Sequence, residues 1–374
     1  MMSAVGGIAH RSTAQDEDAV AAIMRRGGPG LRARMQHAER HLELVTAQAG
    51  VPLAAHAAAT VAAGGKRLRP LLVVLACEAA GGPALMSAGP GVSAVPHPAA
   101  GSEGNDSADG EQRLVRAAVA VELVHSATLV HDDVIDGAQL RRGHPTVVAG
   151  AGRHTAIATG DLLFSRAFAE LARNEDLAQL RALSDASSAL AEGELLQRED
   201  AYAAHVAVDR YLRRCELKTA ALFEAACRLG ALVAIAPSAE RGASSALADG
   251  LGAFARRIGL AFQLLDDVLD VSGPVERTGK ARGADLLDGT VTLPLILARA
   301  HDPRLAAVDL AALQGPEQAA ELCDRITATG ALHEARERAL AFVAEAKAAL
   351  PGLLPSDRAA LLDLVADAVV ERYR

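Results

Sequence analysis

Two acidic clusters of identical spacing carry the chemistry this chain could perform: Asp132-Asp133-Val134-Ile135-Asp136 and Asp266-Asp267-Val268-Leu269-Asp270. Each lies near the end of a long apolar run. On a helix, the first and last Asp of a cluster are four residues apart and share one face, with Cβ atoms about 5–6 Å apart. The middle Asp points roughly 100° away around the helix, because there are 3.6 residues per turn. Carboxylates stacked at a helix C-terminus oppose its dipole and repel one another. That arrangement is unfavourable unless cations neutralise it. All-oxygen donors suit Mg²⁺, which keeps waters and takes one or two carboxylates plus substrate phosphates. One such cluster reads most simply as a solvated helix end. Two, each following an apolar helix, could face each other across a bundle and hold several Mg²⁺ ions and a diphosphate between them.

Basic residues fall at telling places around these clusters. Gly64-Gly65-Lys66-Arg67-Leu68-Arg69-Pro70 sets three cations beside a flexible Gly pair, and Arg141-Arg142-Gly143 follows the first cluster. Lys218-Thr219 lies in a helical stretch, and Lys280 sits in the loop after the second cluster. Arg forks and Lys point charges of this kind bind diphosphates. Taken singly, each would be an ordinary surface charge, and His125 an ordinary structural histidine on an apolar helix.

The elements that must position these groups are helices. The chain has 374 residues, is 51% hydrophobic but only 2% aromatic, and contains no Trp. Its apolar mass is Ala, Leu and Val, and Ala and Leu lose little or no rotamer entropy in a helix. Residues 1–30 read as a poorly ordered tail and 31–374 as a single all-helical domain. Helical patterns are predicted over about 69–80, 113–136, 176–200, 208–229, 251–271 and 290–300, with more helices beyond. Residues 81–112, rich in Gly, Pro, Ser and Ala, read as a long loop within that domain. No fixed-period repeat is present, so the pattern describes one large helical bundle.

Several function classes recede. A net charge of -8 argues against nucleic acid as a partner. No run of about 18 apolar residues without a charge predicts a membrane span. The N-terminus lacks the apolar core of a signal peptide. Cys77, Cys215, Cys227 and Cys323 are widely spaced, as suits reduced thiols in a cytoplasmic protein.

The chain resembles the trans-type polyprenyl diphosphate synthase family, with long-chain character. The resemblance rests on GGKRLRP, HSATLVHDDVIDGAQLRRGHPT, GDLLFSRAF, AEGELLQ, ELKTAALFEAACRLGA, GLAFQLLDDVLDV and GKARGADLLDGTVTLPL, in the family's order over about 64–298. It implies an all-α, isoprenoid-synthase-type helical bundle around a central cavity. The activity it implies is head-to-tail condensation of an allylic prenyl diphosphate with isopentenyl diphosphate, releasing diphosphate. Asp132, Asp136 and Asp266 would ligate Mg²⁺, about three ions to a site, with Asp133, Asp267 and Asp270 in support. Arg141, Lys218 and Lys280 would hold the allylic diphosphate. Lys66, Arg69, His125 and Arg142 would hold isopentenyl diphosphate. Thr219 and Gln263 would stand near the developing cation, with Glu194 and Gln197 lining the same cavity.

Two residues depart from the family pattern: Thr290 stands where a second Lys is common, and Ala281 where a Pro often follows Lys280. Product length should depend on the depth of an apolar tunnel below the first cluster. Thr128 and Ala127 lie one turn back from Asp132, and Val124 two turns back. In the family a bulky aromatic near position 127 stops growth early, so its absence implies a long product of about thirty carbons or more, with a short-chain (farnesyl or geranylgeranyl) diphosphate synthase as the alternative. Phe164 and Phe168 could form a deeper floor. The resemblance also implies a homodimer, with a two-component enzyme as the other option. A class I terpene cyclase would need neither the second cluster nor GGKRLRP, and a regulatory subunit would be expected to lose its acidic ligands.

Overall fold

In the computed structural model of the protein the described residues are 14–47, 53–82, 103–235, 241–273 and 282–371. They form an almost entirely helical bundle. Its helices are α1 (Ala14–Arg26), α2 (Gly28–Thr46), α3 (Ala54–Ala62), α4 (Leu68–Ala79) and α5 (Glu103–Asp136). A two-residue-per-strand hairpin follows, β1 (Leu140–Arg141) and β2 (His144–Pro145), then α6 (Val147–Ala151), α7 (Arg153–Ala172) and α8 (Leu177–Glu199). Next come α9 (Val208–Cys215), α10 (Ala221–Ala234), α11 (Arg241–Ser272), α12 (Ala284–Leu287) and α13 (Leu293–His301). The chain continues through α14 (Pro303–Ala306), α15 (Pro316–Ala328), α16 (Ala331–Ala349) and α17 (Ser356–Glu371).

The centre is made by α4, α5, α10 and α11. Helix α5 packs on α7 and α4, α10 on α11, α4 and α8, and α11 also on α16. Small side chains dominate their contacts: Ala117, Ala118, Ala120 and Ala127 on α5 and Ala226 and Ala231 on α10 have no exposed surface. Ala at these crossings lets backbones approach closely without loss of side-chain entropy. The stretch Ala108–Asp136 is long and apolar enough to cross a membrane, yet 72% of its most apolar window is buried inside the bundle. Its apolarity therefore belongs to the core. The four cysteines are free and buried. Burial pushes their thiols up, Cys77 to about 12 and Cys323 to about 11, so they behave as small apolar side chains.

Two boundaries differ from the sequence reading. Residues 14–26 and 28–30, read as tail, are helical. Ile23 is almost fully buried where α1 packs on α2 and α17, and Arg25 and Arg26 sit in the last turn, where cations suit the dipole. Residues 103–112, read as loop, are the first turns of α5. Polar composition hid that extension, because propensity is a weak guide where a long apolar helix continues directly behind. Residues 1–13 of the tail and 83–102 of the loop lie outside the described residues.

Candidate active site

The first acidic cluster ends α5, and the hairpin that follows folds two arginines back over it. Strand β1 pairs antiparallel with β2, Leu140 opposite Pro145 and Arg141 opposite His144. The connection is Arg142-Gly143, at φ +54° and +80°. A two-residue hairpin turn with both central residues at positive φ matches the right-handed strand twist, and Gly at 143 accepts that conformation freely. Arg141 thereby reaches Asp133, donating from Nε to Oδ1 at 2.7 Å. Asp133 is nearly fully buried, so the middle carboxylate serves the arginine. Asp132 and Asp136, one turn apart, turn to a cleft instead.

That cleft, of about 240 Å³, gathers residues from several helices, the hairpin and the 288–292 connection. Its lining includes Asp132, Asp136, Arg141, Gln197, Arg198, Arg214, Lys218, Thr219, Gln263 and Asp267, closed by Asp285, Asp288, Thr290 and Thr292. The two acidic clusters thus meet across one space. On the α11 side the wall is Gln263 and Asp267. Asp266 and Asp270 stand half-buried beside it, and an Asp270 carboxylate oxygen accepts from the Asp285 N–H at 3.3 Å, tying α12 to the cluster.

Helices α9 and α10 form one rod broken by a single π turn, Glu216–Ala220. An inserted residue of this kind rotates the side chains around it, and such bulges recur at functional sites. Here the turn carries Lys218 and Thr219 into the cleft. It is seated against Gly193 of α8: a Cβ there would lie 2.6 Å from the Lys218 nitrogen and 2.9 Å from Leu217 Cβ. The AEGELLQ stretch becomes intelligible on this basis, since Gly193 admits the π turn while the next residue, Glu194, takes the Lys218 ammonium. We expect Gly193→Ala to force the turn outward, lowering stability by about 1–3 kcal/mol. Misplacement of Lys218 should cost turnover roughly 10- to 100-fold. Thermal melting and a turnover assay would check this, and an unchanged variant would show that the close approach is dispensable.

Thr219 and Gln263 both line the cleft, held in a chain of hydrogen bonds. The Thr219 hydroxyl donates to Gln263 Oε1 at 2.6 Å, and the Gln263 amide donates to Asp267 Oδ1 at 2.8 Å. Tyr211, fully buried on α9, donates its hydroxyl to Asp267 Oδ2 at 2.6 Å. Burial pushes the Asp267 carboxyl up, against these two hydrogen bonds. The chain of donors fixes the α11 cluster against the π turn, because an unsatisfied carboxylate in this position would be costly.

A second basic cluster lies around Glu122 of α5. Arg67, at φ +48° before α4, donates to Glu122 and Glu39 at 2.8–2.9 Å and to the Val61 carbonyl at 2.9 Å. These bonds offset its left-handed backbone and fix the head of α4. Arg69 places its guanidinium 5.1 Å from the Phe223 ring centre, and its buried Nε has no hydrogen-bond partner. Arg142 lies over Gly65, whose added Cβ would come within 2.9 Å of Nη1. Burial and the neighbouring Arg69, Arg142, Arg141 and Arg67 hold the His125 imidazole well below its ordinary range, hence neutral. Lys66 is exposed at the same end. An anion-binding surface is the arrangement's natural use.

Of the other expected site residues, Val124 and Ala127 are fully buried, and half-buried Thr128 donates to the His125 carbonyl at 2.8 Å. Phe164 and Phe168 pack against the core, Phe164 beside His131 at 5.9 Å between ring centres. Lys280 and Ala281 lie outside the described residues. Sequence reasoning overlooked Arg198, Arg214, Tyr211, Asp285 and Asp288. Arg198 had a legible signal, four residues after Glu194. So had Tyr211, two turns before Lys218 on the same rod.

Among the described residues, no three His, Cys, Asp or Glu side chains converge to enclose a metal by themselves. The donors nevertheless fit Mg²⁺, which is commonly held by one or two carboxylates with waters and phosphates. Asp132 accepts no hydrogen bond among the described residues. Burial, with Glu194 and Asp136 nearby, pushes its carboxyl up to about 6 despite Lys218. A largely buried carboxylate facing Asp136, with no hydrogen-bond donor among the described residues, is where a hard divalent cation is stabilising.

Comparison with known proteins gives the family. The sequence model of a family described as Polyprenyl synthetase matches residues 51–328. The chain is 34% identical over 319 residues to a geranylgeranyl diphosphate synthase of Methanosarcina mazei, covering 83% of this chain and 87% of that one. It is 35% identical over 321 residues to the octaprenyl diphosphate synthase of Escherichia coli, covering 84% and 88%. A crystal structure of a polyprenyl synthase from Caulobacter crescentus, complexed with calcium and isoprenyl diphosphate, superposes with a TM-score of 0.79 at 33% identity. That match covers 95% of this chain and 98% of the other.

Proposed function

Because this chain belongs to the polyprenyl synthetase family and is a prenyl diphosphate synthase, we propose that it condenses an allylic prenyl diphosphate with isopentenyl diphosphate to a product of about thirty carbons or more. The observation that carries this reading is the meeting of two acidic clusters over one cleft beside a second basic cluster. Asp132, Asp136 and Asp266 would hold Mg²⁺ together with waters and substrate phosphates, the family resemblance implying about three ions to a site. When bound, Mg²⁺ neutralises charge on the departing diphosphate. Arg141, aimed by Asp133, and Lys218, aimed by Glu194, grip the allylic diphosphate together with Lys280. Lys66, Arg69, His125 and Arg142 hold isopentenyl diphosphate so that its double bond meets the allylic carbon, an orientational contribution. The neutral imidazole of His125 donates one hydrogen bond without adding to the surrounding positive charge. Thr219 and Gln263 face the developing cation from the wall, their orientation set by Asp267. Thr290 offers a hydroxyl where a second Lys is common, so the grip there is weaker.

The long product is supported by the small side chains of Val124, Ala127 and Thr128 behind the first cluster. The named relatives include makers of both short and long chains, so length rests on these residues. The family resemblance supports a homodimer as the working unit, which light scattering would test. A protein active only with a second polypeptide would require a two-component enzyme. Buried, unpaired cysteines suit a reducing, cytoplasmic setting.

The deciding experiment is incubation with Mg²⁺, labelled isopentenyl diphosphate and each allylic primer, followed by sizing of the dephosphorylated products. We expect a primer-dependent ladder ending in a long chain, abolished by a chelator. Release of cyclic hydrocarbon without consumption of isopentenyl diphosphate would reject the assignment.

A further inference from the structure

Arg198 lines the same cleft from the last turn of α8. Its guanidinium is bound to two acids at once. Nη2 contacts Asp136, and Nε donates to Glu194 Oε1 at 3.1 Å, the i,i+4 partner on its own helix. The other oxygen of Glu194 takes Lys218. One carboxylate therefore holds two cations in place, 14% exposed itself while Arg198 is 42% exposed at the rim.

The described cations of the cleft differ in what would happen to them once a divalent ion arrives. Arg141 is held by Asp133, turned away from the cleft. Arg214, almost fully buried, donates to the Val291 carbonyl at 2.7 Å and lies 3.5 Å from Asp200. Lys218 has Glu194. Arg198 alone among them shares a carboxylate, Asp136, that faces Asp132 one turn away and is read here as a metal ligand. A divalent ion on Asp136 would displace the guanidinium, and an exposed ion pair of this sort has little stability to lose. Glu194 still tethers Nε, so the freed edge remains at the cleft. A planar fork beside a diphosphate finds bidentate acceptors there.

We propose that Arg198 is a diphosphate-binding residue, stored on Asp136 in the ligand-free protein and released to the substrate when divalent cations take that carboxylate. This rests on the reading of the cleft as a diphosphate site. It also supplies a cation to a wall where Thr290 carries none.

The test is calorimetric binding of inorganic diphosphate at saturating Mg²⁺ to the full-length protein and to Arg198→Gln and Arg198→Lys. We expect Arg198→Gln to bind roughly 10- to 100-fold more weakly, the scale of a lost charge-assisted hydrogen bond, with an unchanged melting temperature. Arg198→Lys should recover part of the loss. Without its competitor, Asp136 in Arg198→Gln should bind Mg²⁺ alone at a lower concentration. Diphosphate affinity within twofold of wild type would overturn the proposal, even if the Mg²⁺ requirement shifts, because Arg198 would then only position Asp136. Turnover of isopentenyl diphosphate by the wild type, measured alongside, separates the two readings. A wild type that turns over while the variant binds normally rejects Arg198 alone. One that neither turns over nor binds diphosphate rejects both.

Discussion

Asp132→Asn should leave a folded protein whose turnover is lower by on the order of a thousandfold, the scale of removing one group that stabilises charge in the transition state. Asparagine keeps the volume and one oxygen of aspartate but not the charge that a divalent cation answers. Asp132 is suited to this test because it accepts no hydrogen bond among the described residues and stands near Glu194 and Asp136. Its charge is a burden on the metal-free protein, so the variant should melt no lower than wild type. The same exchange at Asp267 would be a poorer experiment, since that carboxylate accepts from Tyr211 and Gln263 and its loss would disturb the wall. Steady-state turnover across Mg²⁺ concentrations, with melting curves, gives the result. A fully active Asp132→Asn protein would remove the first cluster from the mechanism.

On the proposed reading of a long product, Ala127→Phe should truncate it, so that the variant releases short chains. Ala127 lies five residues before Asp132, about 7.5 Å along the helix at 1.5 Å per residue. An aromatic ring there would meet a growing chain soon after it leaves the cleft. The position is fully buried, so the ring also has to be accommodated, at a cost of about 1–3 kcal/mol. Ala127→Leu provides a milder control, expected to fold readily and give products of intermediate length. Chromatography of dephosphorylated products from the three proteins is the measurement. Identical lengths from all three would mean that the chain grows along another path.

Much of the fold could be read locally. The apolar runs leading to Asp132 and Asp266 are helices, and the stretches at 176–200 and 208–229 are the rods α8 and α9–α10. Readings failed where local composition and tertiary context disagree. The start of α5 is polar, and α1 owes its place to Ile23 docking on other helices. The π turn is invisible in sequence, because ELKTA is an unremarkable helical segment until Gly193 and the cleft shape it.

The sequence alone determined that two carboxylate triplets of equal spacing end apolar helices, that arginines and lysines accompany them, and that the fold class is all-α. Those are consequences of side-chain type and of the helical period, which act over a few residues. The tertiary structure decided which carboxylate faces the cleft and which serves a neighbour. It set Arg198 on Asp136, 62 residues away, Tyr211 on Asp267 across 56, and Lys218 on Glu194 across 24. Pairings at such separations depend on how helices cross and on where a glycine lets two backbones touch, and no local periodicity encodes them.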